Sequence, residues 1–188
     1  DCNIIRQCTN TFCDISEKLT GRMGIKDVFH PAFLSKCTKR SDILSSLSRL
    51  HNVMSDMDQD VKRPEGFENT AAHLIRPQFL NSDDKEIRLL SLCCIVDVLR
   101  LFAPNAPYSN TQMVAIFDVL VGQLRGLSTY TPESSMGKKI AYIVVSLARV
   151  KSCVVLVELS TNGHPEPLES LFDSLLNSVR PYHDDESK

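Results

Sequence analysis

An all-α chain is what this sequence predicts, and three observations carry the prediction. Apolar residues recur at three- and four-residue spacing in one segment after another. No sustained alternation of apolar and polar residues, bounded by hairpin turns, is present. The segments are separated by short connectors that carry proline, glycine, serine or asparagine. With 188 residues, 43% hydrophobic and 23% charged, the chain is large enough for one domain or a short run of repeats with a real core.

Taken in order, residues 1–39 form an N-terminal segment expected to be partly helical. Its first dozen residues carry no clear pattern, and a weak helical stretch follows near 12–20. GRMGIKDVFHP (21–31) reads as a linker with a short turn, because Gly21, Gly24 and Pro31 punctuate it. A clearer helix covers about 40–56, with Ile43, Leu44, Leu47, Leu50, Val53, Met54 and Met57 on one face. Asp56 to Glu65 is a loop closed by Pro64. The next helix is predicted over about 65–80, with Phe67, Ala71, Leu74, Ile75 and Phe79 inward and a kink at Pro77.

DDKEIRLLSLCCIVDVLRLF is the central helix. Asp83 with Glu86 three residues on reads as a capping box. Twelve of the sixteen residues from Ile87 to Phe102 are apolar, so neighbours must cover this helix on nearly all sides. Ser109 begins another helix, stopped at Gly126. Two more helical segments cover about 134–150 and 151–160, Asn162 and Gly163 break the chain, and a last helix runs over about 166–179.

Helices joined by short loops pack as antiparallel pairs. Pairs at about 40–80, 84–126 and 134–180 match the roughly 40–47 residues of a HEAT or armadillo unit. The expected fold is therefore a HEAT-repeat-like, right-handed superhelical solenoid over 40–180; a closed helical bundle is the alternative. Asp84-x-x-Ile87-Arg88-x-x-x-x-Cys93-x-x-Val96 resembles the second-helix signature of HEAT repeats, in which the aspartate and arginine form a ladder between neighbours. Residues 181–188 form a polar tail, expected to be the truncation point of a longer chain.

Net charge is −2, and neither residues 1–80 (11 basic, 10 acidic) nor residues 81–188 (10 basic, 13 acidic) have the positive excess that phosphate-backbone binding needs. Direct sequence-specific nucleic-acid binding is not expected. Nor is a membrane span, since Arg88, Asp97 and Arg100 interrupt the longest apolar run. The seven cysteines are odd in number and lack C-x-x-C spacing, which fits reduced, mostly buried thiols.

Asp56-Met-Asp58-Gln-Asp60 copies the opening of a calcium loop. Its sixth position is Val61 instead of glycine, and its twelfth is Phe67 instead of glutamate, so the calcium reading fails. No two histidines stand at metal-ligand spacing, and nucleophile elbows, phosphate loops and dinucleotide fingerprints are missing. No catalytic residue, metal or cofactor is predicted, and the chain is not expected to be an enzyme.

LFAPNAPYS (101–109) stands out. With Pro104 and Asn105 at the second and third positions of a type I or II turn, and Ala106 pushed toward extended backbone by Pro107, residues 103–108 should be stiff. Stiffness lowers the entropy lost when a partner docks. The plain alternative is a connector in which proline ends one helix and Ser109 caps the next.

Read together, four blocks resemble one family. They are DMDQD (56–60), EIRLLSLCCIVD (86–97), RLFAPNAPYS (100–109) and QLRGL (123–127), followed by LARVKS (147–152). The family is that of the HEAT-repeat cohesin accessory proteins named for precocious dissociation of sister chromatids, and this chain resembles its N-terminal portion. The resemblance covers roughly 40–180. It implies a nuclear, chromatin-associated, non-catalytic scaffold that regulates sister chromatid cohesion, release and maintenance.

Implied partners are the cohesin kleisin and ATPase subunits, the wings-apart-like release factor, and sororin-like or acetyltransferase peptide motifs. Chromatin would be reached through cohesin. The implied docking site for Tyr-Ser-Arg-type motifs is Ala103, Pro104, Asn105, Ala106, Pro107 and Tyr108, of which Pro104, Asn105, Pro107 and Tyr108 are expected to line an exposed groove. Asn105 departs from the family's usual acidic residue and loses its charge attraction for arginine. A generic HEAT scaffold in nuclear transport or phosphatase assembly is the alternative function.

Overall fold

The computed structural model describes residues 25–178 apart from 31, 60–62, 126–130, 132 and 150–151. The weak helix expected near 12–20 and the tail 181–188 lie outside the described residues. Among the described residues every regular element is a helix: α1 Ile25–Val28, α2 Ala32–Ser35, α3 Arg40–Ser55, α4 Phe67–Leu74, α5 Pro77–Leu80, α6 Lys85–Phe102, α7 Asn110–Leu124, α8 Ser135–Arg149, α9 Ser152–Thr161 and α10 Glu166–Ser178. This is the all-α architecture that the periodicity predicts.

The central helix organises the rest. Fourteen of the eighteen residues of α6 are buried. It is flanked by α3 on one side and α8 on the other, so α3, α6 and α8 lie side by side in one layer. Short α4 and α5 also pack on α6, while α7 packs against α10. From α3, Leu47, Leu50 and Met54 are fully buried, and Ile43, Leu44 and Val53, with Met57 just beyond the helix, pack half-buried around them, as the spacing predicts. From α7, Met113, Ile116, Phe117, Leu120, Val121 and Leu124 join the same core.

Two local predictions are corrected. The helix expected over 65–80 is two helices: α4 stops at Leu74, and Pro77 starts α5 instead of kinking a longer helix. Arg76, which precedes the proline, is extended at φ −65°, ψ 148°, because the pyrrolidine ring excludes helical backbone there. The N-cap of α6 is Asp84, one residue later than the capping box read at Asp83. The Asp84 carboxylate accepts from the Glu86 and Ile87 amides at 2.9 and 3.2 Å, and so satisfies two of the orphan donors of the first turn.

Arg40 at the start of α3 grips Asp84 at 2.5 Å and Glu86 at 2.9 Å, which links the starts of neighbouring helices. Its hydrogen bonds hold the Asp84 carboxyl below the usual carboxylate range. Asp84 is thus paired across the layer with Arg40, while Arg88 donates to the Ser82 carbonyl. Gly66 enters α4 at φ 87°, and a Cβ there would lie 2.3 Å from the Phe29 carbonyl oxygen, so only glycine fits.

Candidate functional site

The geometry of residues 101–109 begins with how α6 ends. The Ala103–Pro104 peptide is cis, and the Asn105 amide donates to the Phe102 carbonyl at 2.9 Å. Pro104 therefore holds the third position of the turn and Asn105 the fourth, one step later than the type I or II register predicted. Ser109 caps α7 with a reciprocal box: its hydroxyl accepts from the Gln112 amide at 3.3 Å, and its own amide donates to Gln112 Oε1 at 2.9 Å. The stretch 103–108 is thus fixed at both ends.

The preceding loop holds the end of α6 from the side. Gln59 Nε2 donates to the Arg100 carbonyl at 2.5 Å, and the Arg63 guanidinium sits 4.2 Å over the Phe102 ring. Phe102 stacks on Phe67 at 5.2 Å, and Phe67 meets Phe29 edge-on at 4.7 Å. Arg100 reaches the other way. Its Nη1 donates to the Met57 carbonyl at 2.7 Å and its Nη2 to the Met54 carbonyl at 2.5 Å. The end of α3 with the loop residues Met57, Gln59 and Arg63 and the end of α6 are therefore braced against each other, with each helix end supplying acceptors to the other segment's side chains.

Beneath this brace lies a buried charge. Asp97 is fully buried on α6. Its Oδ2 meets His51 Nδ1 of α3 at 2.7 Å, and its Oδ1 accepts from the Tyr142 hydroxyl of α8. The His51 and Tyr142 rings meet edge-on at 4.6 Å. One carboxylate thus ties together the three helices of the layer. Burial, and then the nearby Asp97 charge, push the Tyr142 phenol well above its ordinary range. Burial does the same to the thiols of Cys93 and Cys94, which point to the Lys139 and Leu47 carbonyls at 3.8 and 3.5 Å. Raised thiol pKa values make inert core cysteines, not nucleophiles.

Beside the turn is an open groove of about 410 Å³. The turn contributes Ala103, Pro104 and Ala106, α6 contributes Leu99, and α7 contributes Met113 and Phe117. From α9 come Val154, Val155 and Glu158, and Gln59 adds an amide. Of the six residues predicted for the site, Ala103, Pro104 and Ala106 line the groove; of the four expected to line it, Pro104 alone does. Asn105 is exposed on the turn, and Pro107 is half-buried.

Tyr108 departs from the expectation of an exposed lining residue. Its ring packs against the core and its hydroxyl, enclosed by protein, donates to the Ala71 carbonyl at 3.3 Å. Burial pushes its pKa well above the usual phenol range. The ring is held inward by the core around it and by the acceptor that the end of α4 offers its hydroxyl.

Sequence reasoning missed the α9 wall. Its available signal was CVVLVEL (153–159), an apolar run on a helix with no polar face. Val154 and Val157 remain 63% and 50% exposed there, which marks apolar surface left uncovered.

Residues 41–188 match the family model described as sister chromatid cohesion protein PDS5. The chain belongs to the PDS5 family. Among PDS5 relatives, the Xenopus laevis protein "Sister chromatid cohesion protein PDS5 homolog B-A" is 30% identical over 169 residues, covering 88% of this chain and 11% of the relative. The Schizosaccharomyces pombe cohesion protein pds5 is 38% identical over 123 residues, covering 63% of this chain and 10% of the relative. A solved chain from the structure of the Pds5–Scc1 complex matches with a TM-score of 0.63 at 27% identity, over 73% of this chain and 19% of that one. The all-helical fold is thus that of the HEAT-repeat PDS5 proteins. This chain spans about a tenth of the length of the curated PDS5 relatives it matches.

Proposed function

We propose that this chain is a non-catalytic scaffold segment that regulates cohesin, and that its groove beside residues 103–108 docks short peptide motifs of release and protective factors. The observation that carries the reading is the apolar groove, one wall of which is the fixed turn at Ala103, Pro104 and Ala106. A peptide side chain entering it gains apolar burial against a wall that needs no ordering. Asn105 sits exposed on the turn to hydrogen-bond the peptide backbone, while Pro107 and Tyr108 set the turn's position.

The PDS5 family membership and the likeness to the Pds5–Scc1 complex support the wider assignment. On this reading the intact protein is nuclear, binds the cohesin ring through its kleisin and ATPase subunits, and reaches chromatin through cohesin. The wings-apart-like release factor and sororin-like or acetyltransferase motifs are the peptide partners. The repeats over 40–180 form the binding module.

The test is calorimetric titration of a synthetic Tyr-Ser-Arg peptide into the chain and into Val154→Asp. Val154 is largely exposed, so the substitution leaves the fold intact while placing a charge in the apolar groove. Saturable one-to-one binding that Val154→Asp abolishes is expected. Binding of equal strength to both proteins would refute the docking site.

A further inference from the structure

Side chains from another segment cap the end of α6. The last carbonyls of a helix lack intrahelical donors, and a glycine in left-handed backbone commonly brings the closing amides. No glycine stands among residues 103–109. Ala103 leaves the helix in extended backbone, at φ −54° and ψ 137°. The last three carbonyls of α6 are instead met from outside the helix. Gln59 Nε2 donates to Arg100 at 2.5 Å, Arg63 Nη2 reaches Leu101 at 3.5 Å, and the Asn105 amide donates to Phe102 at 2.9 Å. The Arg63 guanidinium, 4.2 Å over the Phe102 ring, also puts a cation at the negative end of the helix. That ring is itself held by its stack on Phe67. Gln59 lines the groove as well, whereas Arg63 is exposed and stands outside the lining.

We propose that Arg63 is a positioning residue of the groove. By clasping Phe102 it fixes the point where the chain leaves α6, and so where Ala103, Pro104 and Ala106 stand, without touching the docked peptide. This rests on the reading that the groove docks a peptide. Phe102 is joined directly to Ala103, so a shift of the helix end carries the turn with it. The strength of the clasp bounds the effect. An exposed cation over an aromatic ring shifts an equilibrium about two- to fivefold. Losing it lowers the fraction of chains with the turn in place, and the apparent affinity with it, by at most that factor.

The experiment is an anisotropy titration of a fluorescein-labelled Tyr-Ser-Arg peptide at high salt, where long-range charge is screened. It would be run with the full chain, Arg63→Lys, Arg63→Ala, Arg63→Glu and Val154→Asp. Affinity should fall from the unaltered chain through Arg63→Lys and Arg63→Ala to Arg63→Glu, with Arg63→Ala about two- to fivefold weaker. Arg63→Glu separates positioning from charge. A carboxylate would attract a cationic peptide, whereas beside the α6 carbonyls and the face of Phe102 it is repelled and opens the clasp. In chains carrying ¹³C-methyl alanine, the Ala103 and Ala106 resonances should move along one line in the same order as the affinities. Those of Ala141 and Ala148 on α8 should stay in place.

Unchanged affinity in Arg63→Ala, while Val154→Asp abolishes binding, would leave the groove standing and overturn the role of Arg63. Tighter binding by Arg63→Glu would overturn it as an effect of charge. A loss of affinity with unmoved Ala103 and Ala106 methyls would overturn it in favour of direct contact. If no peptide binds the unaltered chain, or Val154→Asp has no effect, the docking reading falls and this one with it. Arg63 is exposed, so closely matching thermal melts are expected for its variants.

Discussion

Tyr108 separates residues that hold the turn at 103–108 from residues proposed to meet a partner. Its hydroxyl donates to the carbonyl of Ala71, one of the last four carbonyls of α4, which lack intrahelical partners. Tyr108→Phe removes that bond and leaves an enclosed carbonyl without a donor, at a cost of about 1 kcal/mol. Tyr108→Ala also removes a ring packed against the core. Truncation of a buried aromatic costs about 3–5 kcal/mol, and the half-buried ring of Tyr108 places it near the lower end, about 3 kcal/mol. For a chain of this size those losses lower Tm by about 2–4 °C and about 6–12 °C.

Urea unfolding and thermal melts followed by circular dichroism measure both losses. Fluorescence anisotropy with a Tyr-Ser-Arg peptide measures the partner's response. For Tyr108→Phe the expected affinity is within about twofold of the unaltered chain, because the hydroxyl faces α4 and not the groove. A stability left unchanged, together with a tenfold loss of peptide affinity, would show that the hydroxyl reads the partner and would refute this reasoning. A variant combining Pro107→Ala with Tyr108→Ala is consequently a poor probe of docking, since it loosens the wall it is meant to test.

Asp97→Asn should destabilise the chain by about 2–4 kcal/mol in urea unfolding, because one of the donors from His51 and Tyr142 then faces an amide NH₂ instead of a carboxylate oxygen. A change below about 0.5 kcal/mol would show that the three-helix tie contributes little. Ser109→Ala should cost about 1 kcal/mol by removing the cap of α7, with Ser109→Asn restoring most of it; equal stability of both variants would contradict the capping role.

Stability should also fall on the alkaline side. Cys93, Cys94, Tyr108 and Tyr142 are all held above their ordinary values of 9.0 for the thiols and 10.0 for the phenols, so the folded chain keeps protons that the unfolded chain releases. The full contribution is present below about pH 9 and is lost as pH rises, by about 1.4 kcal/mol per pH unit for each group titrating in the unfolded state. Denaturant unfolding between pH 8 and 10.5 checks this, and a flat profile would contradict it.

The layer of long helices was legible because its signal is local. The three- and four-residue spacing of Leu47, Leu50 and Met54 marks the buried face of α3, and the apolar content of α6 requires neighbours on both sides. The break at Pro77 and the N-cap at Asp84 were misread by a residue or more because both depend on backbone geometry. Asp83 and Asp84 are equally good caps by residue type, and the pairing of Asp84 with Arg40, 44 positions away, is visible only in the fold. That a turn stands here was legible from its prolines, although its register was not. The direction of Tyr108 was not, since it depends on an acceptor in α4. The α9 wall was hidden for the same reason: nothing near residue 104 in sequence announces that Val154 and Glu158 line the same groove.

The most direct measurement is a photo-crosslinking map. A Tyr-Ser-Arg peptide with benzoylphenylalanine in place of its tyrosine would be irradiated with the chain, and the adducts located by mass spectrometry. Adducts on residues 103–106 and 154–158, competed away by the unlabelled peptide and lost in Val154→Asp, are the result this account predicts. Saturable adducts confined to another face, such as the exposed Phe172 and Leu176 of α10, would contradict it.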